Sequence, residues 1–243
     1  FITQHGKTSS MGTTFNGDGR FVVCDAHTMK RLVARDMPFY ANIDTSTGAT
    51  QSSKSTLCWP QHIVVVSPEK AYIQYSTADN ESHSGIRIVD LQTNIIRTSD
   101  IPGTFGVFTK TGATKARMIF SRGKVFAGRG NSVIVLDPAT DAVIKTVTYE
   151  NRQVKDLAKG YDGKIYAIFT GEFTGNSGMT GAASFTKPAM IVALDANGEV
   201  VSETNLPEQI ELRTGTASPT VQMCASFTQP HLYFIGKQDF SAY

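Results

Sequence analysis

Short apolar runs, each closed by a polar turn, succeed one another along the whole chain. Ile63-Val-Val-Val66 is typical, and no segment keeps apolar residues at i, i+3, i+4 for more than two turns. The pattern predicts strands and turns throughout. It contains no stretch of about 18 apolar residues that would span a bilayer.

Two signatures recur. In the first, an apolar strand meets a tight polar turn, and a basic residue or histidine opens a second apolar-aromatic strand. Its copies include Val64-Val-Val-Ser-Pro-Glu-Lys70-Ala-Tyr72, Met118-Ile-Phe-Ser-Arg-Gly-Lys124-Val-Phe126 and Leu157-Ala-Lys-Gly-Tyr-Asp-Gly-Lys164-Ile-Tyr166. Looser copies run from Thr13 to Phe21 and from Ala225 to Tyr233. The second signature is a strand that ends in Asp, at Asp25, Asp90, Asp137 and Asp195, followed by Thr, Asn or Gly. A carboxylate there can accept backbone N–H groups two residues on and close a turn.

The signatures alternate, so each unit reads strand, turn, strand, loop, strand, Asp-turn, strand. The residues opening the second strands stand at 20, 70, 124, 164 and 231, at intervals of 50, 54, 40 and 67. Antiparallel four-stranded units of roughly 40 to 50 residues are propeller blades. The expected fold is therefore all-β, a β-propeller of four-stranded antiparallel blades. Four units are nearly complete and a fifth breaks off after its second strand. A seven-bladed ring at this period takes ~370 residues. Residues 1–243 thus read as a single, incomplete propeller domain holding about five blades of such a ring.

In such blades the 1–2 and 3–4 turns share one face, and here they are short. The opposite face collects the long segments 76–85, 170–188, 37–61, 101–115 and 206–222. Long loops in a compact domain are usually functional or disordered, so binding is expected on the long-loop face, around the mouth of the central channel.

Composition narrows the chemistry. Hydrophobic residues at 40% and charged residues at 18% describe a chain able to bury a core. The 23 basic and 21 acidic residues leave a net charge of +2, without the concentrated basic face that nucleic acid requires. Cys24, Cys58 and Cys224 lie far apart, with no CxxC pair or zinc spacing, and read as buried strand thiols. No catalytic motif is present, and Gly128-Arg-Gly130 falls in a 2–3 hairpin where a tight turn explains it. No cofactor and no metal are expected.

Residues opening the first strands lie nearest the channel mouth: Trp59, Gln61, His62, Lys115, Arg117, Lys155, Asp156 and Gln222. Loop aromatics Phe105, Phe108 and Phe173 join them as candidate binding residues. One acidic residue among several basic ones suits an anionic or polar small molecule. Packing between blades is the competing explanation for Trp59, and loop anchoring for the phenylalanines.

Val135-Leu-Asp137-Pro-Ala-Thr140-Asp-Ala-Val-Ile-Lys-Thr146 resembles the YVTN/YncE-like propeller repeat. Arg20-Phe-Val-Val-Cys-Asp25-Ala-His-Thr28-Met-Lys-Arg-Leu-Val33 is similar to the version in secreted and surface-lipoprotein propellers of Bacteroides-type bacteria, the DUF5074-like group. The resemblance covers most of the chain and is weakest at 170–188. It implies an extracytoplasmic protein, at the outer-membrane surface or in the periplasm, with any signal or lipid anchor outside this chain. It further implies a binding protein that captures a small nutrient, in some members cobalamin, or that sits over a TonB-dependent outer-membrane transporter. No ligand motif transfers residue by residue. Two readings compete with this expectation: a lyase or hydrolase acting on an anionic glycan or lactone with Asp156 and His62 as acid and base, and a protein-interaction scaffold.

Overall fold

The computed structural model describes residues 2–4, 20–37, 40–43, 50–56, 58–77, 83–107, 117–173, 185–207 and 222–235. All regular elements among them are strands. They fall into two units, Phe1–Phe108 and Thr109–Tyr243.

The first unit holds β1 (Ile2–Gln4), β2 (Arg20–Cys24), β3 (Arg31–Asp36), β4 (Tyr40–Ile43), β5 (Thr50–Thr56), β6 (Cys58–Ser67), β7 (Lys70–Thr77), β8 (His83–Asp90), β9 (Ile95–Asp100) and β10 (Gly106–Val107). One blade runs β6-β7-β8-β9, with β10 pairing the start of β8. The sheet before it is β1-β2-β3, and β4-β5 form a hairpin inside the segment expected to be a loop. Trp59 lies near the start of β6.

That first sheet corrects one repeat assignment. Arg20 was expected to open a second strand, yet β2 runs straight into the Asp25 turn and on to β3, as third strands do. Its partner β1 therefore stands in the second-strand place, with Thr3 opposite Phe21. Residues 13–19, the rest of that copy, lie outside the described residues.

The second unit holds β11 (Met118–Ser121), β12 (Lys124–Arg129), β13 (Ser132–Asp137), β14 (Ala142–Thr148), β15 (Val154–Lys159), β16 (Ile165–Phe169), β17 (Glu172–Phe173), β18 (Phe185–Lys187), β19 (Met190–Leu194), β20 (Val200–Asn205), β21 (Gln222–Ala225) and β22 (Leu232–Ile235). Two complete blades follow, β11-β12-β13-β14 and β15-β16-β19-β20, and then the pair β21-β22. The short ribbon β17-β18 rises from the 2–3 loop of the second blade.

The Asp-turns form as the repeat predicts. Asp25 accepts the N–H groups of His27 and Thr28 at 3.0 and 2.7 Å. Asp90 accepts those of Gln92 and Thr93 at 2.9 Å each, and Asp195 those of Asn197 and Glu199 at 2.8 Å each. Bonds from the backbone of Thr28 and Thr93 hold the Asp25 and Asp90 carboxyls below the ordinary range. Each turn closes through a left-handed residue, at Met29, Asn94, Asp141 and Gly198.

Blades pack face to face, and this explains the pattern of burial. Strands β12 and β13 are covered on both sides, so Val125-Phe-Ala127 and Val133-Ile-Val-Leu136 form continuous buried runs. The outer strand β14 alternates between half-buried and exposed, and every residue of β20 is exposed. Phe126, Val133 and Val135 of one blade meet Val154, Leu157 and Phe169 of the next in a single cluster. In the first unit, Phe21 and Met37 pack on Ala71, Ile73 and Val89. Burial of one such side chain contributes about 1.5–3 kcal/mol.

Cys24 is half-buried and Cys224 is exposed, both as free thiols. The exposure of Cys224 departs from the expectation of buried thiols. It lies on β21, whose sheet has two strands among the described residues, so less cover reaches it.

Candidate functional site

The starts of the inner strands are defined by register. His62 lies opposite Gln74, Asp156 opposite Ile168, and Gln222 opposite Ile235. Each partner sits four positions beyond the residue at 70, 164 or 231. These residues thus hold one repeat position, which Arg117, just before Met118, occupies as well. Just before it, two inner strands carry a bulge, with the register slipping around Gln61 in β6 and around Lys155 in β15.

In the second unit this row is joined across blades. The Arg117 guanidinium donates to both oxygens of Asp156, at 3.0 Å from Nε and 2.7 Å from Nη2. Nη2 also donates to the Met223 carbonyl. Asp156 further accepts the N–H groups of Leu157 at 2.9 Å and Met223 at 2.7 Å. The carboxylate is 3% exposed and the guanidinium 42%. Its bond to Asp156 raises the Arg117 pKa further. One carboxylate therefore fastens three successive inner strands. It faces donors on all sides, which gives it an architectural task.

Lys155 is different. Its side chain is half-buried, and no hydrogen bond or ion pair reaches it among the described residues. Desolvation brings the ammonium pKa down to about 8.

The long 2–3 segment is fastened beside this row. Arg152, buried in the connection between β14 and β15, donates from Nη1 to the carbonyls of Thr170 and Pro188, 2.7 Å each. Burial lowers the Arg152 pKa. Thr170 N–H donates to the Gln153 carbonyl and Thr170 Oγ1 accepts Gln153 N–H, both at 2.9 Å. Lys187 and Glu172 pair at 2.7 Å across the ribbon. Beneath them, Tyr149 packs its ring edge-on to Phe169 at 4.9 Å and donates its hydroxyl to Glu203 at 2.5 Å. Burial, reinforced by Glu203, pushes the Tyr149 phenol well above its ordinary value.

The structure thus brings Arg117, Lys155 and Asp156 to the inner-strand starts of the second unit. Gln61 and His62 hold the same part of β6 in the first, both half-buried. Phe105 is half-buried in the turn before β10. Trp59, Gln222 and Phe173 are placed by their backbone in β6, β21 and β17. Lys115 and Phe108 lie outside the described residues. Among the described residues no group of three or more His, Cys, Asp or Glu is placed to hold a metal. Arg152 and Thr170 went unread in the sequence. The sole signal was an arginine four residues before an acidic inner-strand position.

The family model described as "Domain of unknown function (DUF5074)" matches residues 1–242. No curated protein matches the sequence. Among solved structures, the chain is similar to the Pan2 WD40 domain of Neurospora crassa, at 12% identity and a TM-score of 0.44, covering 79% of this chain and 48% of that one. It is similar to the Cps50 (Swd1) beta-propeller domain of Myceliophteria thermophila, at 11% identity and 0.48, over 90% and 60%. The hydrazine synthase of Kuenenia stuttgartiensis follows at 18% identity and 0.47, over 89% and 67%. The chain spans between about half and two-thirds the length of these structures.

Proposed function

The chain belongs to the DUF5074 family, and from that premise we propose that it is a non-enzymatic binding module that captures a small molecule on its long-loop face. One observation carries the reading. A buried arginine, Arg152, ties both ends of the longest 2–3 segment to the foot of the inner strands. Fixing both ends of a loop beside a row of polar inner-strand residues lowers the ordering cost of binding a ligand there. The resemblance to surface propellers makes corrinoids the first ligands to try. It also supports placement outside the cytoplasm, with the same face docking an outer-membrane transporter.

The competing enzyme reading needs Asp156 as an acid or base. Its carboxylate is instead saturated by Arg117, Leu157 and Met223, which favours the binding module. Calorimetric titration with corrinoids, haem and anionic glycans tests the proposal. Saturable binding that weakens in Arg152→Ala, with no turnover of the bound compound, is the expected result. Turnover of any of them overturns it, and silence across the panel moves the assignment to a protein-docking scaffold.

A further inference from the structure

An ammonium withdrawn from water normally has an anion or several acceptors beside it, because desolvating an unpaired charge is expensive. The described cations that leave the solvent obey this rule. Arg87 meets Asp100 at 3.4 Å, Arg117 meets Asp156, and Arg152 meets two carbonyls. Lys124 meets Asp137 at 3.3 Å and Lys164 meets Asp162 at 2.6 Å. Lys155 stands apart: it is half-buried and has no hydrogen bond or ion pair among the described residues, so its ammonium keeps contact with water in place of a protein partner.

Its position makes the exception informative. Packing does not require a lysine there, since the residue is the extra one at a bulge, between the pairs Val154–Phe169 and Asp156–Ile168. Bulges re-aim a side chain and recur beside functional sites. Next to it, Asp156 is taken up by Arg117 and two backbone N–H groups, so the adjacent acid is spent elsewhere. Arg117 and Asp156 balance each other's charge, which leaves the Lys155 ammonium as the uncompensated charge at this point of the row. Thr170 and Arg152 hold the long segment nearby, just before β15.

We propose that Lys155 is the anchoring residue for an anionic group, a carboxylate or phosphate, on the captured ligand. The inference deepens the binding-module reading and rests on it for the identity of the face. The low pKa of the free amine accords with a charge awaiting its counter-ion.

The probe is inorganic phosphate, with acetate as the carboxylate counterpart. Lysines are reductively methylated with carbon-13 formaldehyde, which preserves their charge, and the Lys155 resonance is assigned by its absence in Lys155→Arg. A saturable shift of that resonance is expected, with exposed Lys30 and Lys159 moving far less. Lys155→Ala should weaken phosphate binding at least about tenfold, the ordinary range for a charge-assisted hydrogen bond. Lys155→Arg should retain most of it.

A Lys155 resonance that moves no more than those of Lys30 and Lys159 overturns the inference. So does a ligand from the calorimetric panel that binds Lys155→Ala as tightly as the native protein, and the binding-module reading then stands without it. If phosphate moves Lys155 while the whole panel is silent, the anion site stands and the small-molecule reading falls.

Discussion

Asp156 and Arg117 meet in a two-point contact, 3.0 and 2.7 Å, across the gap between two neighbouring inner strands. The same carboxylate takes the Met223 N–H at 2.7 Å, so a single side chain spans three blades. Replacing it leaves two backbone donors without their acceptor, and the guanidinium without its counter-ion but still on the Met223 carbonyl. Asp156→Ala should destabilise the protein by about 3–5 kcal/mol, the range for breaking a buried pair, toward the lower end because Arg117 is partly solvated. Asp156→Asn, which keeps one acceptor oxygen, should lose less. Urea midpoints with an unchanged slope check both. A change under about 0.5 kcal/mol for Asp156→Ala would refute the clamp.

Gly85 closes over the buried polar cluster of the first unit. A Cβ there would lie 2.7 Å from Asp100 Oδ1 and 2.9 Å from Tyr75 Oη. Neither can retreat cheaply. Tyr75 donates to Asp100 at 2.8 Å and stacks under Arg87, whose guanidinium carbon is 4.5 Å from the ring centroid. Gly85→Ala should therefore cost about 1–3 kcal/mol as an overpacking change, read from the shift in urea midpoint.

The hairpin from β11 to β12 turns through Arg122 and Gly123, at φ values of 49° and 75°. Two left-handed positions in a two-residue loop define the type I′ turn, which favours Asn-Gly. Arg122→Asn should raise stability by about 0.5–1 kcal/mol. Thermal unfolding of the two proteins side by side measures it.

The lowered pKa of Lys155 has a definite sign in stability. Between about pH 8 and the ordinary lysine value of 10.5, the unfolded chain holds a proton that the folded one has released. Stability attributable to this residue therefore rises with pH across that window, and its penalty is full below pH 8. Lys155→Met removes the effect. The stability difference between the two proteins should be largest near pH 7 and shrink toward pH 10.5, as denaturant titrations at each pH will show.

Arg152 holds its loop through carbonyls rather than through packing. Arg152→Ala should leave the blade core in place while loosening the backbone where Gln153 and Thr170 exchange hydrogen bonds. Faster hydrogen exchange at those two amides is expected, with Ile168 and Val192 in the blade core unchanged. Equal acceleration at all four would instead show global destabilisation.

The repeat made much of this legible in advance, because blade architecture is written in local chemistry. An Asp that caps its own turn, and apolar runs buried on both sides, depend on neighbours within a few residues. Asp90, Asp195 and the run from Val133 to Leu136 behaved accordingly. The copy around Arg20 misled for the same reason: a basic residue before an apolar strand looks alike whether that strand is second or third. Strand pairing through Thr3 and Phe21 settled it.

The sequence by itself determined most of the strands, the Asp-turns and the blade class. Its list of inner-strand residues included Arg117, Lys155 and Asp156 but assigned them one shared task. Only the tertiary structure separated them, because charge has no fixed meaning until its partners are known. Register and blade packing brought Arg117 and Met223 onto Asp156, set Arg152 against two carbonyls distant in sequence, and left Lys155 half-buried among groups that do not pair with it. Such pairings join residues 39, 67 and 106 positions apart, separations at which the order of residues along the chain carries no contact information.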